Sequence, residues 1–163
     1  MPEVSIRPIT YDDTDNIIKW RNSDSVRCRF IDRNLFTKEG HTKGLDNFVF
    51  QGKVSQFIML LDKLPVGSVY IRDIDHEKKC GEYGIFIGEE SARGKGVGTE
   101  SAKLIIEHAF NELKLETLFL RVFKDNEGAI KSYEHAGFVK NGKSETVNIN
   151  GKDEEVIFME LKK

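Results

Sequence analysis

Residues 93–98 read Arg-Gly-Lys-Gly-Val-Gly and connect a strand-like segment to a long amphipathic helix. The three glycines remove side chains that would otherwise keep a bulky anion away from the backbone. The helix that follows begins with unpaired N–H groups and carries partial positive charge at its start. Together, the loop and the start of the helix predict a binding site for a phosphate or pyrophosphate group.

The spacing of this loop argues against two common phosphate-binding motifs. A Walker-type loop needs a lysine followed by serine or threonine, whereas Lys95 is followed by Gly96. A dinucleotide-binding fingerprint needs a third glycine where this chain has Thr99. Such a fingerprint also lies near the start of a βαβ unit. A surface turn without a ligand is the remaining alternative. The strong patterning of the flanking strand and helix disfavours it.

Composition narrows the class of protein. The 163 residues can bury one core and predict a single domain over residues 1–163. The formal net charge of −2 gives no basic field for nucleic acid, and the four histidines show no spacing typical of metal ligands. Cys28 and Cys80 lie far apart and are expected to be free thiols. No run of about 18 apolar residues and no signal-peptide pattern occurs. We therefore expect a cytoplasmic protein with no metal, nucleic-acid partner or membrane attachment.

Hydrophobic periodicity predicts strands that alternate with helices. The predicted strands cover residues 4–7, 55–61, 66–74, 82–87, 117–122, a segment that begins at 137, and 155–161. The predicted helices cover about residues 12–22, 37–51, 98–113 and 126–136, while 26–36 is a loop or short helix and 142–151 a polar turn region. This order predicts an α/β fold of the mixed α+β type, with a central, mostly antiparallel twisted sheet of about seven strands flanked by helices.

A second motif, at residues 122–138, reads Val-Phe-Lys-Asp-Asn-Glu-Gly-Ala-Ile-Lys-Ser-Tyr-Glu-His-Ala-Gly-Phe. Together with the glycine loop it resembles the GCN5-related N-acetyltransferases (the GNAT family), whose acetyl-CoA loop follows the pattern Gln/Arg-x-x-Gly-x-Gly/Ala. The loop pattern is matched by Arg93, Gly96 and Gly98, and the second family motif by Asn126, Ala129, Tyr133, Gly137 and Phe138. The resemblance implies a GNAT fold over nearly the whole chain. It also implies an acyltransferase that moves an acetyl group from acetyl-CoA to a primary amine by direct attack on the thioester.

The resemblance assigns the coenzyme contacts residue by residue. The backbone N–H groups of the loop, at Arg93, Gly94, Lys95, Gly96, Val97 and Gly98, would hold the pyrophosphate. The pantetheine arm would lie beside the preceding strand, at Phe86 and Ile87. Asn126 suits either a pantetheine amide or a helix N-cap, and the two roles can coexist.

Two residues are candidates for catalysis. The resemblance implies that Tyr133 donates a proton or hydrogen bond to the departing thiolate, and the alternative is a core aromatic residue. Glu82 opens a Glu-Tyr-Gly segment that resembles ribosomal-protein-type members, which makes it a candidate base or water-orienting carboxylate. A lysine-like amine is neutral in only about one molecule in 2,500 at pH 7, so its attack needs such help. The alternative for Glu82 is a solvent-facing strand residue paired with a cross-strand lysine.

The amine acceptor is the least determined part of the sequence. Trp20-Arg21-Asn22, with His41 further on, resembles bacterial amino-sugar N-acetyltransferases that act on nucleotide-linked 4-amino-4,6-dideoxy sugars. Gly44 departs from that pattern, because such relatives often carry a tryptophan there. Alternatively, Trp20 is a core residue and the next two residues end a helix. The clustered arginines at 21, 27, 29 and 33 would suit a phosphorylated acceptor or form a solvated face.

Three classes of function follow from these observations. The first is a small-molecule amine N-acetyltransferase that acts on an amino sugar, including nucleotide-linked ones. The second is a protein N-terminal (ribosomal-protein-type) or polyamine acetyltransferase. The third is a non-catalytic acetyl-CoA-binding module, which would not need a placed acid and carboxylate. A homodimer is a further expectation, since folds of this kind often pair through exposed strands and late helices.

Overall fold

The computed structural model describes residues 2–163, which form one seven-stranded sheet in the order β1-β2-β3-β4-β5-β7-β6. The strands are β1 (Val4–Pro8), β2 (Ser55–Leu61), β3 (Leu64–Asp75), β4 (Cys80–Ile87), β5 (Thr117–Phe123), β6 (Val139–Ile149) and β7 (Lys152–Lys162). Every neighbouring pair is antiparallel except β4 and β5, which are parallel. The predicted mixed, mostly antiparallel sheet is therefore confirmed.

In the part of the chain that the structure describes, five α-helices flank the sheet. They are α1 (Thr14–Asn22), α2 (Asp24–Arg27), α3 (Lys38–Gly44), α4 (Val97–Asn111) and α5 (Glu127–His135). A π-helical turn, Leu45–Val49, continues α3, so the helix expected over 37–51 ends slightly early. Helix α2 ends within the segment 26–36, for which the sequence predicts a loop or a short helix. No helix of residues 2–163 combines the length and apolar character needed to cross a bilayer.

The helices pack on both faces of the sheet because neighbouring strand residues point to opposite sides. On β2, Met59 is buried in the cluster under α4, whereas Ile58 is buried in the cluster under α1 and α2. Helix α4 buries Ala102, Ile105 and Ala109, the stripe that its periodicity predicts. The two clusters place α4 and α5 on one face and the N-terminal helices on the other.

One sequence prediction is wrong. Residues 142–151, expected to be a polar turn region, belong mostly to strand β6, and only Asn150 and Gly151 form the turn into β7. Both turn residues have positive φ, at 54° and 82°, as a tight Asn-Gly hairpin requires. Strand β6 is an edge strand with one neighbour and mostly exposed side chains. Its sequence therefore lacks the apolar alternation by which strands are recognised.

The parallel strands β4 and β5 diverge after a short contact. Their register contains three pairs, of which Glu82 with Phe119 is the last. Beyond that pair, β4 continues to Ile87 and remains bonded to β3 on its other side. The edge of β4 that faces β5 thus offers unpaired backbone groups to a gap in the sheet, and this gap determines where the site lies.

Candidate active site

A cavity of about 690 Å³ occupies the gap between β4 and β5. Strand β4 forms one wall, and β5 with α5 forms the opposite wall. It brings together seven of the residues predicted from the sequence: Glu82, Phe86, Ile87, Arg93, Gly98, Asn126 and Tyr133. Val54, Gln56, Tyr70 and Arg72 also line it, and a further boundary, called here the N-terminal wall, consists of Ile17, Arg21, Val26, Arg29, Phe30, Ile31, Asp32, Phe36 and His41. The cavity therefore connects the predicted coenzyme site to the N-terminal third of the chain.

The glycine loop leaves its backbone open at one end of this cavity. Gly96 is the N-cap of α4, with φ of 80°, and as a glycine it provides no side chain to satisfy the first helical N–H groups. An added Cβ at Gly98 would meet nothing closer than Ile87 Cδ1 at 3.8 Å, so the space in front of this residue is free. Unpaired amides, a helix start and free space together fit a pyrophosphate group.

The remaining loop residues differ in what they can contribute. Gly94 and Lys95 are exposed, and Val97 is buried in the core, so none of these side chains lines the cavity. Arg93 does line it: Nη2 donates to the carbonyl of Ile87 at 3.2 Å, and Nε is buried without a partner. Arg93 thus supplies positive charge at the loop, while Val97 is available only through its backbone.

Helix α5 provides the opposite wall. The Oδ1 atom of Asn126 accepts a hydrogen bond from the backbone N of Ala129 at 3.3 Å, which confirms the N-cap role expected for this residue. Its Nδ2 atom can still donate into the cavity. Tyr133 lies two turns later, where its ring contacts Tyr83 edge-on with the centroids 6.0 Å apart. Both predicted residues of this helix therefore line the cavity.

The phenol of Tyr133 is held in its protonated form. Burial, with a smaller contribution from the nearby Tyr70, raises the pKa of Tyr133 to about 12. A neutral phenol that lines the cavity can donate a proton or a hydrogen bond at any physiological pH. The core packing against Phe138, at 6.2 Å between ring centroids, fixes the orientation of the ring. The core role and the cavity role of Tyr133 are compatible.

Glu82 is a buried ion-pair centre at the floor of the cavity. It is 6% exposed, and its two oxygens accept hydrogen bonds from Arg72 Nε at 3.1 Å and from Arg121 Nε at 3.0 Å. The alternative of a solvent-facing glutamate paired with lysine is therefore wrong. The sequence does not predict that Arg72 and Arg121 contact Glu82, because these contacts depend on strand register and on the order of β4 and β5.

The Trp20-Arg21-Asn22 element has three separate roles. Trp20 is buried, packs on Gly88 and donates from Nε1 to Glu89 Oε1 at 3.0 Å, so it belongs to the core and does not line the cavity. Asn22 holds the following loop by bonding both the N–H and the C=O of Phe36, at 2.7 and 3.0 Å. Arg21, which lies between these two residues in the chain, lines the cavity.

His41 lies where the main cavity meets a second cavity of about 400 Å³ beside α3. Its Nδ1 atom is 3.1 Å from Thr14 Oγ1, and its Nε2 atom is buried without a partner. Burial lowers the pKa of His41, so the ring is neutral at pH 7. Within residues 2–163, no group of three or more His, Cys, Asp or Glu side chains is placed to hold a metal ion.

The fold and the cavity define a coenzyme A-dependent acetyltransferase, and comparison with known proteins gives the same result. The sequence model of the family described as "Acetyltransferase (GNAT) domain" matches residues 3–139. The chain belongs to this family, and it is an N-acetyltransferase that uses acetyl-CoA as cosubstrate. The free amides, the open space at Gly98 and the unpaired edge of β4 fit that cosubstrate.

Sequence comparison finds relatives that are named as two different acetyltransferases. Spermidine N(1)-acetyltransferase of Escherichia coli K12 is 29% identical over 139 residues, which cover 85% of this chain and 74% of that protein. Acetyltransferase PseH of Campylobacter jejuni strain 81-176 is 31% identical over 122 residues, or 75% of this chain and 74% of PseH. Among solved structures, spermidine N-acetyltransferase of Vibrio cholerae in complex with CoA and spermine superimposes with a TM-score of 0.89. It is 21% identical, and the match covers 98% of this chain and 95% of that one, which confirms the fold.

Proposed function

We propose that this protein transfers the acetyl group of acetyl-CoA to the primary amine of an amino sugar, including nucleotide-linked amino sugars. The supporting observation is the charge of the cavity. Its charged lining residues are Arg21, Arg29, Arg72, Arg93 and Arg121 against Asp32 and Glu82. Glu82 is already engaged by two of these arginines. A neutral or anionic acceptor suits this lining better than a polycation does.

The residues divide the chemistry between them. The amine nitrogen attacks the thioester carbonyl, the new C–N bond forms as the C–S bond breaks, and the phenol of Tyr133 gives its proton to the leaving sulfur. The proton lost by the amine passes to a water molecule, which Glu82 orients through lone pairs not used by the arginines. Backbone groups of β4 and the glycine loop hold the coenzyme, so that the reacting atoms meet beside Tyr133.

A polyamine acceptor is the main alternative, because relatives in E. coli and V. cholerae are named spermidine acetyltransferases. A polyamine carries several positive charges and needs carboxylates around it. Asp32 is the one carboxylate among the charged lining residues that is not paired with arginine. A protein N-terminus is a second alternative, since an α-amine is neutral in about one molecule in six to ten at pH 7 and needs less help from a base.

Release of the coenzyme A thiol, measured for a panel of acceptors at equal concentration, separates these possibilities. The panel contains a nucleotide-linked 4-amino-4,6-dideoxy sugar, glucosamine, spermidine and a peptide with a free N-terminus, and mass spectrometry identifies the product. We expect the highest kcat/KM for one of the two amino sugars. The highest value for spermidine or for the peptide would refute the proposal. Absence of thiol release with every acceptor of the panel would also refute the proposal.

Self-association is a separate part of the proposal. We expect the protein to form at least a homodimer, as the resemblance to its family implies, and the structure of the V. cholerae relative is described as dodecameric. Light scattering after size-exclusion chromatography measures the molar mass directly. A mass that corresponds to a single chain at micromolar concentration would contradict the expectation.

A further inference from the structure

Arg21 is a buried cation without a counter-ion. It is 8% exposed, and residues 2–163 provide no ion pair for it. Its Nε atom is buried without a hydrogen-bond partner. A buried charge is costly unless it is paired and hydrogen-bonded. The protein therefore leaves this charge available to a molecule that enters the cavity.

Aromatic rings hold this guanidinium in place without using its donors. Its Cζ atom lies 3.5 Å from the ring centroid of Phe30 and 4.4 Å from that of Phe36. A ring face stabilises a cation but does not accept conventional hydrogen bonds from it. The guanidinium thus occupies a slot formed by Phe30 and Phe36. Asn22 fixes the backbone of Phe36 by two hydrogen bonds, so the Phe36 side of this slot is rigid. The side chain is therefore oriented in advance, and its N–H groups remain free for a ligand.

The neighbouring charges favour an anion at this position. Arg29 and Arg72 also line the cavity, and Arg72 is committed to Glu82. Asp32 acts on Arg21 through space, but it forms no ion pair with Arg21 and accepts a hydrogen bond from the backbone N of Asn34 at 3.0 Å. Arg21 is thus the buried arginine of the N-terminal wall with donors to offer.

We propose that Arg21 forms an acceptor subsite that binds a phosphate or carboxylate group of the amine substrate. The inference rests on the proposed amino-sugar acceptor and makes it more specific: the preferred acceptor carries negative charge as well as an amine. A planar guanidinium whose donors are unused can hold either oxyanion with two parallel hydrogen bonds. Arg21 is therefore a specificity-determining residue that contacts the substrate away from the reacting atoms.

The test compares three amino sugars that differ in charge: glucosamine, glucosamine 6-phosphate and muramic acid, which carries a carboxylate. In the wild type we expect at least one anionic sugar to have a higher kcat/KM than glucosamine, and the better of the two identifies the oxyanion. In Arg21→Met, kcat/KM for the anionic sugars should fall by about 10- to 100-fold, the loss typical of a hydrogen bond to a charged group. The value for glucosamine should change by less than about threefold, well under the effect of one such bond. Arg21→Lys should recover part of the loss, because lysine keeps the positive charge but cannot form the two parallel hydrogen bonds of a guanidinium.

Control measurements separate this subsite from general damage. Lys43→Met removes an exposed positive charge from α3 and should not change the ratio between the sugars. The affinity for acetyl-CoA and the melting temperature report whether Arg21→Met is folded. Equal losses for neutral and anionic sugars in a folded variant, or no preference for charge in the wild type, would overturn the inference. If no sugar is acetylated, the proposed function fails. Calorimetric titration with glucosamine 6-phosphate and muramic acid, in the wild type and Arg21→Met, then tests the subsite alone, and equal or absent heat with both sugars overturns it.

Discussion

The Oε2 atom of Glu82 accepts a hydrogen bond from Nε of Arg121 at 3.0 Å, and this contact joins β4 to β5 where the two strands begin to diverge. Glu82 is the last residue of β4 that pairs with β5, and Arg121 lies two residues beyond its register partner Phe119. On the other side, Arg72 of β3 faces the same carboxylate. The ion-pair centre therefore links three strands at the end of the gap that holds the cavity, whatever chemical role Glu82 also has.

Replacing Glu82 tests this structural role. Glu82→Gln keeps the shape of the side chain but leaves Arg72 and Arg121 without their negative charge. We expect the free energy of unfolding to fall by about 1.5–3 kcal/mol, as for the loss of hydrogen bonds to a charged group, measured by urea denaturation. Glu145→Gln is the matched control, because Glu145 also pairs with Arg121 but is 42% exposed in its side chain. That change should cost less than about 1 kcal/mol. Equal effects of the two variants would contradict the structural role.

The catalytic role of Glu82 needs a different measurement. If the carboxylate orients the water that accepts the amine proton, Glu82→Gln lowers kcat and steepens its dependence on pH, because only the neutral fraction of the amine then reacts. Acetyl-CoA affinity should be retained. Unchanged acetylation in a variant that binds acetyl-CoA normally would exclude Glu82 from the chemistry and leave the structural role alone.

Tyr133→Phe tests the proton donor. Removal of the hydroxyl should lower kcat by about 10²–10⁴-fold, with little change in acetyl-CoA affinity, because the ring and its packing remain. Since burial raises the pKa of Tyr133 to about 12, the wild type should show no loss of rate between pH 7 and 9 that depends on this residue. Tyr11→Phe is the control, as Tyr11 is an exposed tyrosine that bonds Asp46 and does not line the cavity. Equal rates for Tyr133→Phe and the wild type would remove Tyr133 from the mechanism.

Gly98→Ala separates coenzyme binding from stability. The added methyl group would make only ordinary contacts, and alanine stabilises a helix by about 0.5–1 kcal/mol relative to glycine. We therefore expect an unchanged or higher melting temperature. Acetyl-CoA affinity, measured by calorimetry, should fall by about 10- to 100-fold, since the methyl group displaces the pyrophosphate from charge-assisted hydrogen bonds. Gly44→Ala, in a helix away from the loop and with no atom within 4 Å, should preserve this affinity. Tight binding by Gly98→Ala would contradict the assigned position of the coenzyme.

His41 gives the acid side of the stability profile a specific cause. Burial lowers the pKa of His41 in the folded protein below its unfolded value of about 6.5, so the unfolded chain takes up the proton first as the pH falls. The stability linked to this residue is present above about pH 6.5 and is lost below it. His41→Asn, which keeps a polar group near Thr14, should lose less stability than the wild type between pH 7.5 and 5. Parallel losses in urea denaturation would show that His41 does not titrate as described.

The sequence determined the coenzyme end of the site more fully than the acceptor end, for a physical reason. The glycine loop and the start of α5 are local motifs, in which Gly96, Gly98 and Asn126 act through their own backbone or cap. Strand β6 was missed because an edge strand can be polar on both faces. No local pattern could place Arg72 and Arg121 on one carboxylate, since that contact depends on the register of three strands.

The acceptor end depends on contacts between distant residues. The slot around Arg21 forms only when Asn22 holds the loop that carries Phe30 and Phe36. Sequence could mark Arg21 as part of a motif and as one of several clustered arginines. It could not show that Arg27 and Arg33 bond to backbone carbonyls of the same loop while Arg21 remains unpaired. An arginine that is hydrogen-bonded within the protein and an arginine that is free to bind a ligand cannot be distinguished from sequence alone.

A crystal structure of the protein with coenzyme A tests most directly whether the gap between β4 and β5 holds the acetyl donor. We predict the pantetheine arm along the unpaired edge of β4, the pyrophosphate on the backbone N–H groups of residues 94–98, and the sulfur within hydrogen-bonding reach of the Tyr133 hydroxyl. Coenzyme bound outside the gap, or with its sulfur far from Tyr133, would contradict the assignment.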